Sequence, residues 1–327
     1  SMQLVPTIAD EVESLTVFQR TAQWSRPVPE YNEPVADASH WLFQNVPFYD
    51  RWYRFAQFWR YGDGLLRFLR RDPDWPHHER SLNKTNDRHR REITDFIEAE
   101  LEGRPDLLAK CVPDYPPFAK RILIDNGWFA TLRKPNVELV TETIAGFTEA
   151  GIRTVDGVER PADVVVMATG FNVTDLAAHI DIRGRDGITL AADWADENPR
   201  AHLGMTVPGF PNFFVMYGPN TNMGHGGSGI WLAETQTRYI TDLLVDMAAS
   251  KIDAIDCRPS RRDDYSTLVD ELHDQLVWTH PGTQTYYRNR NGQVRSPMPF
   301  RLVDYWMMTR AGDLSDFVTG SPAKADA

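Results

Sequence analysis

Lys120 and Arg121 are adjacent cations that follow Tyr115-Pro116-Pro117-Phe118-Ala119 and precede Ile122-Leu123-Ile124-Asp125-Asn126-Gly127-Trp128. Neighbouring side chains diverge along a helical or extended backbone, so one cation can serve one ligand and its neighbour another. Taken alone, such a pair is commonly just solvated surface. A further cation, Arg20, closes the apolar run Leu15-Thr16-Val17-Phe18-Gln19 and is followed by Thr21. At the end of the second strand of a nucleotide-binding α/β unit, an acid suits a ribose 2′-hydroxyl and an arginine suits a 2′-phosphate. Arg20 is either such a ligand or an exposed strand-terminal cation.

Other clusters carry less chemistry. Gly224-His225-Gly226-Gly227-Ser228-Gly229 matches G-x-G-x-x-G, but six residues separate it from the expected strand 212–217. Asp242 and Asp246 fall inside the following helical pattern rather than at a second strand end. The tight dinucleotide-binding geometry is therefore absent. What remains is a helix N-terminus whose free N–H groups and dipole could face a phosphate or a ring carbonyl. Ser228 and His225 do not form a nucleophile elbow, because position 230 is Ile rather than Gly. His77, His78 and His89 have no Cys or carboxylate at ligand spacing and read as solvated histidines rather than a zinc site.

The elements that position these residues follow from local patterning. Apolar positions predict a short helix over Met2–Val12, then a buried strand over Leu15–Phe18. Residues 22–36 are proline-rich and read as a loop. The stretch Trp41–Phe68 holds nine of the chain's aromatic residues up to Trp59, interleaved with Arg51, Arg54 and Arg60. It reads as a helical layer with an aromatic core side; a nucleic-acid stacking platform would share this pattern but not the acidic balance of the chain. Asp87–Leu101 is a further helix. From residue 135 the pattern turns to strands: Val137–Val140, a hairpin about Asp156-Gly157 in a type I′ turn, and buried strands over Asp163–Thr169 and Asn212–Tyr217. A long helix runs from Ile230 to about Ala249. Ser260 is the expected N-cap of a helix carrying Tyr265, Leu268, Val269, Leu272 and Leu276 on one face. The tail 312–327 is small and polar and is expected to fray.

The chain has 327 residues, formal net charge −11, 42% hydrophobic and 25% charged residues. Length allows two domains. The negative charge disfavours nucleic acid as a partner, and no apolar run approaches the ~20 residues of a membrane helix. Cys111 and Cys257 are too few for a disulfide scaffold, which fits a cytoplasmic setting.

Taken in order, Met2-Gln3-Leu4-Val5-Pro6, Val17-Phe18-Gln19-Arg20-Thr21, Tyr115–Trp128, Pro135-Asn136-Val137-Glu138-Leu139-Val140, Ala168-Thr169-Gly170-Phe171 and Gly218–Ser228 resemble the class B flavoprotein monooxygenases. The likeness is to Baeyer–Villiger monooxygenases of the 4-hydroxyacetophenone monooxygenase type, and it spans nearly the whole chain. The resemblance implies an α/β fold of two Rossmann-like dinucleotide-binding domains, here incomplete, with an inserted helical subdomain. It places the start of the NADPH-binding domain at 1–36, the helical insertion at 37–112, the rest of that domain at 113–168, and the C-terminal part of the FAD-binding domain with the tail at 169–327.

The same resemblance implies FAD and NADPH as cofactors, and a ketone and O2 as substrates joined through a flavin C4a-peroxide. Arg121 would be catalytic. Arg20, Thr21 and Lys120 would hold the NADPH 2′-phosphate, while Gln3, Thr169, Gly170, Asn220, Thr221 and Ser228 would serve the cofactors. The family's FAD fingerprint and its F-x-G-x-x-x-H-x-x-x-W-P signature have no counterpart here, and Ser1 falls at the third small position of the NADPH fingerprint. An N-terminal segment is therefore expected to be required. Oxygenation of nitrogen or sulfur, and a non-catalytic remnant, are the alternative expectations.

Overall fold

Residues 1–327 except 29, 30, 32, 177–179, 284 and 321–327 are described by a computed structural model. In chain order the elements begin with α1 (Leu4–Ile8), β1 (Leu15–Phe18), β2 (Ser25–Arg26), α2 (Asp37–Asn45), α3 (Tyr49–Arg60) and α4 (Leu66–Leu69). There follow α5 (Lys84–Glu100), α6 (Pro105–Cys111), β3 (Leu123–Ile124), α7 (Trp128–Leu132), β4 (Val137–Val140), β5 (Ile144–Phe147), β6 (Gly151–Thr154) and β7 (Glu159–Pro161). The rest are α8 (Leu190–Asp193), α9 (Gly229–Ser250), β8 (Ala254–Cys257), α10 (Pro259–His273), α11 (Leu302–Met308) and β9 (Phe317–Gly320). They form two compact units, Ser1–Val35 with Trp75–Phe171, and Ala36–Asp74 with Asn172–Ala327. The helical stretch expected as one insertion over 37–112 divides between them.

In the first unit, β1 pairs in parallel with β4, Leu15 opposite Val137 and Phe18 opposite Val140. The expected helix over 2–12 contracts to α1, which buries Val5. The proline-rich loop contains β2, parallel to β3. Asn83 caps α5 with its side-chain oxygen, accepting from the N–H groups of Thr85 (2.9 Å) and Asn86 (2.8 Å). The antiparallel β5–β6–β7 meander includes the expected hairpin. Its turn is not type I′, which needs positive φ at both central residues. Only Gly157 of the Asp-Gly pair has positive φ (85°), and its N–H donates to the Thr154 carbonyl, as in a type I turn closed by a left-handed glycine.

The expected strand over 163–169 does not form. No described residue offers it a ladder, and Val164, Met167 and Phe171 are 79%, 66% and 94% exposed. A strand apolar on both faces is stable only between covering layers, and this unit supplies none there.

The core of the second unit gathers on α9. Its buried Leu232, Thr235, Gln236, Tyr239, Leu243 and Met247 follow helical spacing. Ile255, Val269, Leu302, Tyr305 and Phe317 pack in the same cluster. Residues 212–217 are not a strand either. Positive φ at Asn212 (55°) and Tyr217 (57°) breaks the extended run, and single hydrogen bonds from Asn212 to Ile255 and from Val215 to Met205 replace a ladder. The N-cap of α10 is Arg258, not Ser260, because Pro259 occupies the first helical turn, where its missing N–H costs nothing. The tail is partly structured: β9 pairs antiparallel with β8. Residues 321–327, the rest of the segment expected to fray, lie outside the described residues. The aromatic core side expected for 41–68 is reduced in α2 and α3 to Phe58, which packs on Trp231 against the core; neither helix fully buries a residue. Phe43, Tyr49 and Tyr53 pack on one another, while Trp41, Trp52 and Trp59 face solvent.

Asp63 caps α11 from 239 residues away. Its carboxylate accepts from the backbone N–H of Leu302 and from that of Val303 (3.2 Å). Asp63→Ala leaves the buried Leu302 N–H and the part-buried Val303 N–H without their carboxylate, and is expected to lower stability by about 1–2 kcal/mol. Urea unfolding measures the loss; an unchanged midpoint would show the cap to be dispensable.

Candidate functional site

Lys120, Thr21 and Arg20 converge in the first unit. Lys120 is 8% exposed, and its Nζ donates to Thr21 Oγ1 at 2.8 Å. The ammonium lies 4.7 Å from the Tyr115 ring centroid, an attractive cation–π distance. Burial, and then the charge of Arg20, pull the Lys120 pKa below its ordinary value, with Asp114 opposing. The effect of Arg20 on Lys120 places two like charges close together, an arrangement that favours an incoming anion. Arg20, Thr21 and Arg121 are exposed.

The loops carrying these residues are locked together. Trp24, 1% exposed, donates its Nε1 hydrogen to the Tyr115 carbonyl (2.8 Å), and the Tyr115 hydroxyl donates to the Ala22 carbonyl (2.7 Å). Parallel pairing of β2 with β3 extends the same join. Sequence reasoning gave Tyr115 no role of its own; the aromatic residue preceding Pro116-Pro117 was the available signal.

The remaining sequence-derived candidates divide between the two units. Gln3 is exposed before α1, and its carbonyl accepts from the Thr7 hydroxyl (2.8 Å). Thr169 and Gly170 are exposed, Gly170 with φ of 93°. Asn220 is buried, its Nδ2 donating to the carbonyls of Val294 (3.0 Å) and Pro297 (3.4 Å). Thr221 is fully buried and donates to the Gly218 carbonyl (2.7 Å). Ser228 is the exposed N-cap of α9, accepting from Trp231 N–H. The glycines before it are required by packing: a Cβ on Gly226 would stand 2.1 Å from the Tyr61 carbonyl oxygen, and one on Gly227 2.6 Å from Met223 Sδ. Within the same unit, α3, α9 and α11 line an open groove of about 620 Å³ that carries Arg51, Arg54 and Arg238 among aromatic rings.

His225 is 3% exposed, and neither ring nitrogen has a hydrogen-bond partner. Burial pulls its pKa down to about 4. The folded value thus lies below the ~6.5 of an unfolded imidazole. The neutral ring's contribution is complete above pH ~6.5 and is lost as pH falls towards 4, reaching ~3 kcal/mol at 1.36 kcal/mol per unit. His273, pulled to about 3 by burial, adds a loss of the same sign. His225→Leu is therefore expected to reduce, without abolishing, the fall in denaturant stability between pH 7 and 4.5. An unaltered pH profile would mean that His225 is already hydrated in the folded protein.

No family model matches the chain. Among proteins of similar sequence, an uncharacterized monooxygenase of Sinorhizobium fredii is 42% identical over 98% of the chain and 48% of its own length. A Baeyer–Villiger monooxygenase of Streptomyces coelicolor is 30% identical over 99% of the chain and 60% of its own length. The chain belongs to the class B flavoprotein monooxygenases. It spans about half the length of the curated relatives it matches. Among solved structures of this family, cyclohexanone monooxygenase from Rhodococcus sp. Phi1 bound to NADP+ superposes with a TM-score of 0.75 at 26% identity, covering 98% of the chain and 65% of its own. An oxidized steroid monooxygenase bound to NADP, at 24% identity and TM-score 0.77, shares the fold. The α/β architecture is thus that of the class B enzymes. Among the described residues, no helix is long and apolar enough to cross a membrane.

Proposed function

We propose that the chain supplies the NADPH 2′-phosphate grip and the catalytic arginine of an FAD- and NADPH-dependent monooxygenase that inserts oxygen beside a ketone carbonyl, giving an ester or lactone. The observation that carries this reading is the convergence of Lys120, Thr21 and Arg20. A 2′-phosphate fits there: a buried ammonium held by a hydroxyl and an aromatic face, and a second cation close enough to depress its pKa. Arg20 would take the phosphate oxygens in a fork, Thr21 would orient Lys120, and Lys120 would act as a point charge. Arg121, one residue on and exposed, would stabilise negative charge developing on the ketone oxygen.

FAD enters by similarity to relatives, among them an FAD-binding monooxygenase of Aspergillus niger that is 30% identical over 99% of the chain and 52% of its own length. When bound, flavin supplies the activation of O2, and nicotinamide supplies the hydride. The side chains of Asn220 and Thr221 do not fit a flavin contact, because they are buried and engaged within the fold. The exposed start of α9 at Ser228 is the better match for a ring edge. Thr169 and Gly170 close an exposed apolar run, and we read that run as awaiting an N-terminal segment that also carries the phosphate loops. A cytoplasmic location agrees with Cys111 and Cys257, buried thiols whose pKa values are pushed up to about 11 by desolvation.

The test is cofactor choice in the full-length enzyme. Arg20→Ala removes a charged hydrogen-bond donor worth ~1.5–3 kcal/mol. It is expected to raise the KM for NADPH by roughly ten- to a hundredfold and to leave that for NADH nearly unchanged. Equal losses with both cofactors would sink the assignment.

A further inference from the structure

Four residues before Arg121 complete a turn whose third position holds the wrong kind of residue for its backbone. The Ala119 N–H donates to the Pro116 carbonyl (3.3 Å), with Pro117 and Phe118 between them. Phe118 has φ of 72°. Proline followed by positive φ is the signature of a type II turn, where the residue with positive φ is normally glycine. A bulky side chain there costs ~1–3 kcal/mol, and persists only where its surroundings over-determine it.

The surroundings here belong to α5. The Phe118 ring is 6% exposed and stacks on His89, with centroids 5.6 Å apart and planes at 24°. Three residues earlier on the same helix, Asn86 Nδ2 donates to the Pro117 carbonyl at 3.2 Å. Burial keeps the His89 pKa below its ordinary value, against the pull of Glu92 and with Arg26 and Arg88 beside it, so the stacked imidazole is predominantly neutral. Two successive residues of the turn are thus held by one helix that is itself capped at Asn83. Immediately beyond the turn, Lys120 goes inward to Thr21 while Arg121 stays exposed.

We propose that Phe118 is a positioning residue, whose ring is clamped against His89 so that the strained turn directs Lys120 towards Thr21 and Arg121 away from it. Glycine would satisfy the turn without strain; the aromatic ring is retained for its anchorage to α5. The inference rests on the reading that Lys120 and Arg20 hold a 2′-phosphate.

The readout is the ratio of kcat/KM for NADPH to kcat/KM for NADH in the full-length enzyme. A change in the folded fraction scales both values equally, so simple destabilisation leaves the ratio alone. Phe118→Gly keeps the turn and removes the anchor, and is expected to lower the ratio roughly tenfold or more, as misplacement of a binding group does. Phe118→Tyr keeps the ring and is expected to retain the parental ratio, whereas His89→Ala removes the other half of the stack and is expected to lower it. Lys120→Met is the reference. If Lys120→Met leaves the ratio unchanged, the phosphate reading falls, and this inference with it. If Lys120→Met lowers the ratio but Phe118→Gly and His89→Ala do not, the positioning role alone is overturned.

Discussion

In the full-length enzyme, Arg121→Ala is expected to reduce oxygenated product by roughly 10²–10³-fold, the effect of deleting one donor aimed at a developing oxyanion. NADPH oxidation should continue, because the proposed 2′-phosphate grip lies on Lys120, Thr21 and Arg20 and not on Arg121. Without oxygen transfer to the ketone, the two electrons of NADPH reduce O2 to hydrogen peroxide, so peroxide should appear in near-stoichiometric amounts. The substitution is also expected to be mild for folding, since Arg121 is exposed whereas its neighbour Lys120 is buried. Arg121→Lys keeps the charge but loses the planar fork, and should fall between parent and alanine variant. Product analysis by gas chromatography with parallel peroxide and NADPH assays measures all three. Ester formation at the parental rate in the alanine variant would remove Arg121 from the chemistry.

Residues 1–327 produced alone are expected to purify colourless, to oxidise no NADPH and to bind a hydrophobic dye such as ANS. The physical basis is exposed apolar surface, which on the proposed reading an N-terminal segment covers. Val164, Val165, Val166 and Met167 form a continuous apolar run without a ladder, and Phe171 follows it in full exposure. β1 and β4 form a parallel sheet of two strands. Parallel pairs are ordinarily buried in larger sheets, and free edges template association. Adding an upstream segment that carries both dinucleotide fingerprints is expected to quench dye binding and to restore yellow colour and turnover. A yellow 327-residue chain that oxygenates ketone unaided would show that the exposed run is no docking strand and that the flavin site is complete without it.

What the sequence determined by itself was local. Apolar spacing marks α9 and α5, and the β-branched runs mark β1 and β4, because each pattern is stable on one buried face against whatever lies beneath it. Gly157 marks its turn, since positive φ favours glycine regardless of context. The ordered motifs around Arg20 and Lys120-Arg121 carried the family. Tertiary structure decided the rest. Residues 163–169 and 212–217 are as apolar as β4, yet a strand exists only where a neighbour supplies hydrogen bonds, and sequence does not name that neighbour. Asp63 caps α11, and Asn220 and Thr221 turn inward to Val294 and Gly218, through partners too local or too distant for any motif to assign. The inward turn of Lys120 and the outward place of Arg121 depend on Phe118 adopting a conformation its own side chain disfavours. That choice is made by the packing of His89 and Asn86 on α5, about 30 residues away in sequence, where the energy of contact exceeds the local preference of the backbone.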